Sequence, residues 1–344
     1  MQSETVRQIT NFLLTFSSIV YEAMPFIVLG AVIAGVLEEM VPQRFLARVI
    51  PRNRFLSMLI GGLLGLVFPM CECGIIPVMR RLLRKGLPLS TCTAYLLAGP
   101  IVNFVVITST LVAFSGSNQD IGVARDTHPM PGPLMAGLRV GLGYLVAIGT
   151  SLLVERLWRR EGTKLLMPLA MPRPTDADDN EEGPRRTPWQ KLSNISETAL
   201  HDFVDITAFL ILGALLAAFT RQWLGHEQIA ELGTSRPVLA IVAMMGLAIL
   251  LCLCSEADAF VAASFTTLPA AAKLAFLVLG PMMDLKLYLM YTRVFRRKLI
   301  WTIFGSVMLQ VLVYTVITHF VWTAYADRND PDPAGAPAAA AAQP

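Results

Sequence analysis

The sequence predicts an all-α, multi-pass membrane protein built from two inverted repeats, and three observations predict it. The first is composition. Hydrophobic residues make up 54% of the 344 positions and charged residues 15%, with a mean hydropathy of +0.57. That is too apolar for a soluble globule, and the apolar runs are long enough to cross a bilayer. The second is an internal duplication. Cys71-Glu72-Cys73-Gly74, with residues 94–100 and Asn103 downstream, is matched by Cys252-Leu253-Cys254-Ser255, with residues 275–281 and Asp284 downstream, at a constant offset of 181. Upstream, Glu22, Phe26, Leu29 and Gly30 match Asp205, Phe209, Leu212 and Gly213 at an offset of 183. The third is the distribution of basic residues along the chain.

Apolar runs cover 12–39, 55–79, 88–114, 134–157, 198–220, 237–267, 268–292 and 300–323. If all eight crossed as plain transmembrane helices, the alternative architecture, the loop Lys and Arg residues would divide 15 against 11 between the two faces. If 55–79 and 237–267 are re-entrant hairpins, one face gathers Arg44, Arg48, Arg52 and Arg54, the Arg80, Arg81, Arg84 and Lys85 group, eight residues of the central stretch, and Arg293, Arg296, Arg297 and Lys298. The division is then 20 inside against 6 outside, which satisfies the positive-inside asymmetry. Each half contributes three crossings plus a hairpin, an odd number, so the halves lie in opposite orientations. That is the inverted-repeat plan of secondary transporters.

Residues 1–10 lack a basic cluster followed by a short apolar run and a small-residue cleavage site, so the first run is expected to remain as a helix. In the second run, Pro69, Gly74 and Pro77 surround the first cysteine pair. Each proline removes a backbone hydrogen bond, and an unwound tip is expected there. The third and seventh runs carry Gly99-Pro100 and Gly280-Pro281, expected helix breaks whose freed carbonyls must face protein, water or a ligand. The second tip, 250–254, has neither Gly nor Pro, but Ser255-Glu256-Ala257-Asp258 has capping-box spacing and can start a new helix. The expected divisions are a first membrane repeat over 1–157, a mobile polar cytoplasmic linker over 158–197, a second membrane repeat over 198–324 and a disordered tail over 325–344. The linker holds five prolines and an acidic run from Asp176 to Glu182, too polar to bury a core.

The candidate site follows from the duplicated motifs. Residues two apart on a helix lie about 200° apart around its axis, so Cys71 and Cys73 share a ligand only where the tip is non-helical. Thiolate sulfur binds soft or borderline species such as Zn(II), Cu(I) and trivalent arsenic, and carboxylates such as Glu72 shift preference toward a borderline divalent ion. Cys71 and Cys73 are therefore candidate metal ligands. If the tips meet, Cys71, Glu72, Cys73, Asn103, Cys252, Cys254, Glu256, Asp258 and Asp284 are the candidate substrate-binding set. The bland alternative for the thiols is core packing, and Cys92, without a partner, is expected to be core. Intramembrane carboxylates cost about 2.5–3.5 kcal/mol on insertion scales and usually face a cavity or a partner. Glu22 and Asp205 are candidates for proton coupling. The competing reading of the carboxylates is a buried ion pair, such as Asp284 with Lys286 or Arg139 with an acid.

The run from Phe68 to Pro77, with the Arg80–Gly86 segment, residues 98–103, residues 254–260 and residues 279–286, resembles the bacterial predicted-permease family, whose best-known branch is the ArsP-type exporters of trivalent organoarsenicals. The resemblance covers nearly all of both halves. Glu72 between the first cysteines and the Ser-Glu-Ala-Asp run after the second pair are more like the uncharacterised branch than the organoarsenical exporters. The resemblance implies a multi-pass permease of the bacterial cytoplasmic membrane, with organoarsenical export one option.

No phosphate-cradling glycine loop ending in Lys-Ser/Thr is present, and His128, His201, His226 and His319 lack metal-ligand spacing, so neither ATP-driven transport by this chain alone nor an enzyme constellation is expected. The preferred reading is a secondary permease for a thiophilic metal or metalloid species. The alternatives are a membrane thiol-disulfide oxidoreductase cycling the two cysteine pairs and a membrane subunit that needs a partner protein. No cofactor and no nucleic-acid partner are expected. The contacts are with membrane lipid and a small inorganic or organometalloid substrate, and a homo-oligomer stays open.

Overall fold

The computed structural model describes residues 2–40, 51, 53–68, 70–115, 130–168, 188–223, 237–265 and 268–329. Four of its helices are long and apolar enough to cross a membrane: α1 (Gln2–Met40), α6 (Gly132–Glu161), α7 (Pro188–Trp223) and α12 (Arg297–Asn329). Between them lie short helices in pairs: α2 (Arg54–Val67) and α3 (Glu72–Arg84), α4 (Leu89–Ala98) and α5 (Phe104–Ser115), α8 (Pro237–Leu251) and α9 (Asp258–Ser264), α10 (Ala270–Leu279) and α11 (Leu285–Tyr291). At 1.5 Å rise per residue none of these reaches the roughly 30 Å of a bilayer core. The chain is thus an all-α polytopic membrane protein, and eight uninterrupted helices are not what the described residues form.

Each short pair is divided where the duplicated motifs lie. The first break ends at Cys71, which stands in extended conformation as the N-cap of α3. Pro69 lies outside the described residues. Pro77, expected to break the helix, sits inside α3. One missing N–H costs a single bond, and the fixed φ of proline suits a helix, so α3 continues through it. Gly74, also expected at a break, is likewise in α3 and serves close packing: a Cβ on Gly30 of α1 would meet the Gly74 carbonyl oxygen at 2.6 Å. Gly99-Pro100 and Gly280-Pro281 break the chain as expected, and α5 and α11 restart after Asn103 and Asp284. The second cysteine tip unwinds over residues 252–257 without Gly or Pro, through Cys252 at φ +49°. The helix after it starts at Asp258 with Ala257 as N-cap and no side-chain cap, so the expected capping box is not used.

The legs of the expected hairpins pack mainly on third helices. α2 lies on α4 and α6, α3 on α1, α4 and α11, and in the second half α8 lies on α10 and α7. α4 is buried along its whole length and α10 at every position but Lys273, and they form the centre of each half. A Cβ on Gly65 of α2 would come within 2.5 Å of the Gly99 carbonyl, so backbone touches backbone beside the break. The halves join along α1–α7, α6–α12, α3–α11 and α5–α9. Thr150 of α6 hydrogen-bonds Ser306 and Gln310 of α12, each at 3.0 Å, and Gln310 also donates to Ser306 within α12 at 2.7 Å. Large apolar side chains stay exposed on α1, α7 and α12, among them Leu14, Leu212 and Leu309, the surface a lipid phase would cover.

Helical structure enters the polar stretch 158–197 from both ends. α6 runs to Glu161, a short 3₁₀ turn follows over Gly162–Leu165, and α7 begins at Pro188. Leu166 pairs with Phe295, and Lys298 bonds Glu161, tying this segment to the start of α12. Residues 169–187 and 330–344 lie outside the described residues. α12 itself extends to Asn329, past the bound expected at 324, because nothing in its sequence up to Asn329 stops a helix.

Candidate functional site

A helix that restarts after Gly-Pro has unpaired N–H groups at its new end. The side-chain oxygen of Asn103 accepts from Val105 N at 3.0 Å, and that of Asp284 accepts from Leu287 N at 2.5 Å. The two repeat-equivalent residues are therefore N-caps, a role the sequence reading did not give them. Capping uses one atom of each side chain, and Asn103 Nδ2 and Asp284 Oδ2 are left buried without a hydrogen-bond partner.

Beside Asp284, Lys286 is fully buried and reaches across the seam between the halves. Its ammonium donates to Glu72 Oε1 at 2.8 Å and lies 3.6 Å from Asp284 Oδ2. Glu72, the first residue of α3, keeps its Oε2 unpartnered. A second buried pair crosses the seam the other way. Arg139 of α6 donates to both Asp258 oxygens at 2.8 and 2.9 Å, to Thr110 Oγ1 at 2.7 Å and to the Ser255 carbonyl at 2.8 Å. The ion-pair alternative thus holds for Glu72, Asp258 and Asp284, with Glu72 rather than Asp284 as the closer partner of Lys286.

The cysteines lie around the same seam, and all five are buried free thiols. Cys71 and Cys73 adjoin each other. Cys254 faces Lys286, Glu72, Cys73 and Glu22 within electrostatic reach. Cys252 lies beside the backbone of Leu285 and Lys286, and its thiol donates to the Ile249 carbonyl at 3.4 Å. Cys92 is buried in α4, as expected of a core residue. Glu22, half-buried on α1, faces Glu72 and Lys286. Asp205 lies on α7, and its side chain is outside the described residues. Glu256 keeps Oε1 without a partner.

Among the described residues no three His, Cys, Asp or Glu side chains are placed to hold one metal ion. The sulfurs and carboxylates are neighbours, but Glu72 and Asp258 are drawn onto Lys286 and Arg139, because a buried carboxylate binds the nearest cation. The sequence reading treated Lys286 and Arg139 only as counter-ions and passed over Tyr95, whose buried hydroxyl has no partner. Tyr95 stands inside the duplicated 94–100 motif, which was the available signal. What the arrangement offers chemically is a buried polar cluster at the junction of helix breaks, with soft sulfur, a carboxylate oxygen left without a partner and one ammonium.

A family model described as a predicted permease matches residues 8–320. The chain is 34% identical over 303 residues to the UPF0718 protein YcgR of Bacillus subtilis, covering 88% of this chain and 95% of that protein. It is 31% identical over 303 residues to a protein of Streptococcus mutans named as the subunit of a two-component membrane permease complex, covering 88% of this chain and 93% of that one. It is 23% identical over 275 residues to the UPF0718 protein YraQ of Escherichia coli, covering 80% and 71%. No solved structure matches the chain.

Proposed function

The chain belongs to the predicted-permease family and is a multi-pass protein of the bacterial cytoplasmic membrane, and from that premise we propose that it is a secondary permease for a thiophilic metal or metalloid species. The cargo is a zinc-like divalent ion or a trivalent arsenical. The halves are inverted repeats with re-entrant tips, and they rock about the seam to open the site to each face in turn. The observation that carries this reading is the gathering of both cysteine pairs about Glu72 and Asp284, where Glu72 Oε2 and the nearby Glu256 Oε1 are buried without a hydrogen-bond partner. Buried polar atoms without partners are rare in native proteins and call for a water, an ion or a substrate. Soft sulfur then selects a thiophilic cargo, and Glu22, Asp205 and Asp284 carry coupling protons.

Elemental flux in inverted vesicles, over zinc, copper, arsenite and methylated trivalent arsenic, tests it. Cys71→Ser/Cys73→Ser should abolish flux of the one species that wild type moves. Flux indifferent to both cysteines removes the thiolate site. A second reading, a membrane subunit working with a partner protein, is favoured by the name of the Streptococcus mutans relative. It predicts no flux until the partner is supplied. The proposed topology places the 44–54 and 80–85 basic groups on one face, and impermeant labelling that finds them on opposite faces overturns it.

A further inference from the structure

The Lys286 ammonium stands where a cation would. It is fully buried, bonds Glu72 Oε1 at 2.8 Å and lies 3.6 Å from Asp284 Oδ2. Glu72 and Cys73 come from the first half, Asp284 and Cys254 from the second, and all four face that ammonium within electrostatic reach. Drawn together, these two sulfurs and two carboxylates would make the mixed donor set that a borderline divalent ion prefers.

Resting on the permease reading above, we infer that Lys286 is a tethered substitute for the cargo: its ammonium fills the cation position between Glu72 and Asp284 in the empty site, and a divalent thiophilic ion binds there by displacing it. Three observations carry this. Charge is the first, since two carboxylates against one ammonium leave one negative charge over, which a divalent ion would cancel. The second is unspent coordination. Glu72 Oε2 has no hydrogen-bond partner, and Asp284 Oδ2 has only the Lys286 ammonium at 3.6 Å, whereas both Asp258 oxygens are bonded by Arg139. A pair kept only for stability would resemble the second arrangement. The third is position, because Lys286 ties α11 to α3 across the seam that alternating access must open.

Among the described residues no three His, Cys, Asp or Glu side chains stand close enough to hold one ion, so the ion's entry requires the groups around Lys286 to draw together as the ammonium leaves. The displacement also gives the lysine a role in turnover. An empty carrier that must reorient within a membrane cannot carry uncompensated carboxylates cheaply, and a tethered ammonium lets it return unloaded.

The test is a Cd(II) titration of the purified full-length protein in detergent, read by sulfur-to-cadmium ultraviolet absorption. A resident competitor that fills the site nine-tenths of the time weakens apparent affinity about tenfold, so Lys286→Met should bind Cd(II) about tenfold tighter than wild type or better. The gain should vanish in Glu72→Gln/Lys286→Met. Lys286→Gln, which keeps a donor for Glu72, replaces Lys286→Met if the latter does not fold. Equal or weaker Cd(II) binding by a folded Lys286 variant, with a Cys71/Cys73-dependent band in wild type, overturns the tethered cation and leaves the thiophilic cargo standing. No band in any variant overturns both.

Discussion

Arg139–Asp258 and Lys286–Glu72 are both buried ion pairs that cross between the halves, yet their surroundings differ. Arg139 spreads four bonds over Asp258, Thr110 and the Ser255 backbone. Lys286 makes one close bond, to Glu72, and a longer ion pair at 3.6 Å with Asp284 Oδ2, while Glu72 Oε2 has no partner. Arg139 holds both Asp258 oxygens, although its own Nε is buried without a partner, whereas Glu72 keeps one carboxylate oxygen uncommitted, and an uncommitted acceptor in low dielectric holds binding capacity in reserve. The first pair therefore ties the second cysteine tip to α6, and the second is the position we propose for the cargo.

The largest expected effect breaks the clamp. Arg139→Met leaves Asp258 buried without its counter-ion, a loss of about 3–5 kcal/mol, seen as a collapse of folded yield and thermal stability in detergent. A variant that melts like wild type would erase the distinction between the pairs. Glu72→Gln should cost less, about 1–3 kcal/mol for one charged hydrogen bond, because Asp284 remains beside Lys286, while vesicle flux disappears. Equal thermal losses in the two variants would contradict the comparison. Smaller again is the contrast between the tips. Cys252 holds φ +49°, and Cys252→Gly should release about 1 kcal/mol of left-handed strain, raising or holding the melting temperature. Cys71, at φ −69°, gains nothing from the same change, so Cys71→Gly should lower it. Smallest is Gln310→Leu, which removes the one Gln310 hydrogen bond between α6 and α12, to Thr150, worth about 0.6 kcal/mol on average in membrane helices. A shift larger than that of Glu72→Gln would move the weight of the seam away from the site.

These differences also show what the sequence could tell. Helix class, duplication and the Gly99-Pro100 and Gly280-Pro281 breaks were legible, because composition and backbone restriction act locally. The capping roles of Asn103 and Asp284 were written there too, as short polar residues directly before an apolar run, but membrane depth suggested ligands instead. Pro77 misled because a proline forbids one bond, not a helix. The unwinding at Cys252 has no Gly or Pro to announce it and is imposed by what packs around it. The Glu72–Lys286 contact spans 214 positions, and only the docking of α3 on α11 brings the two together.

The most direct test of the central claim, that the seam holding Cys71 and Cys73 is opened to each side in turn, is thiol accessibility. A variant retaining only these two cysteines is exposed to a membrane-impermeant maleimide in right-side-out and in inverted vesicles. Labelling from both faces is the predicted result, and labelling from one face only, or from neither, contradicts the account.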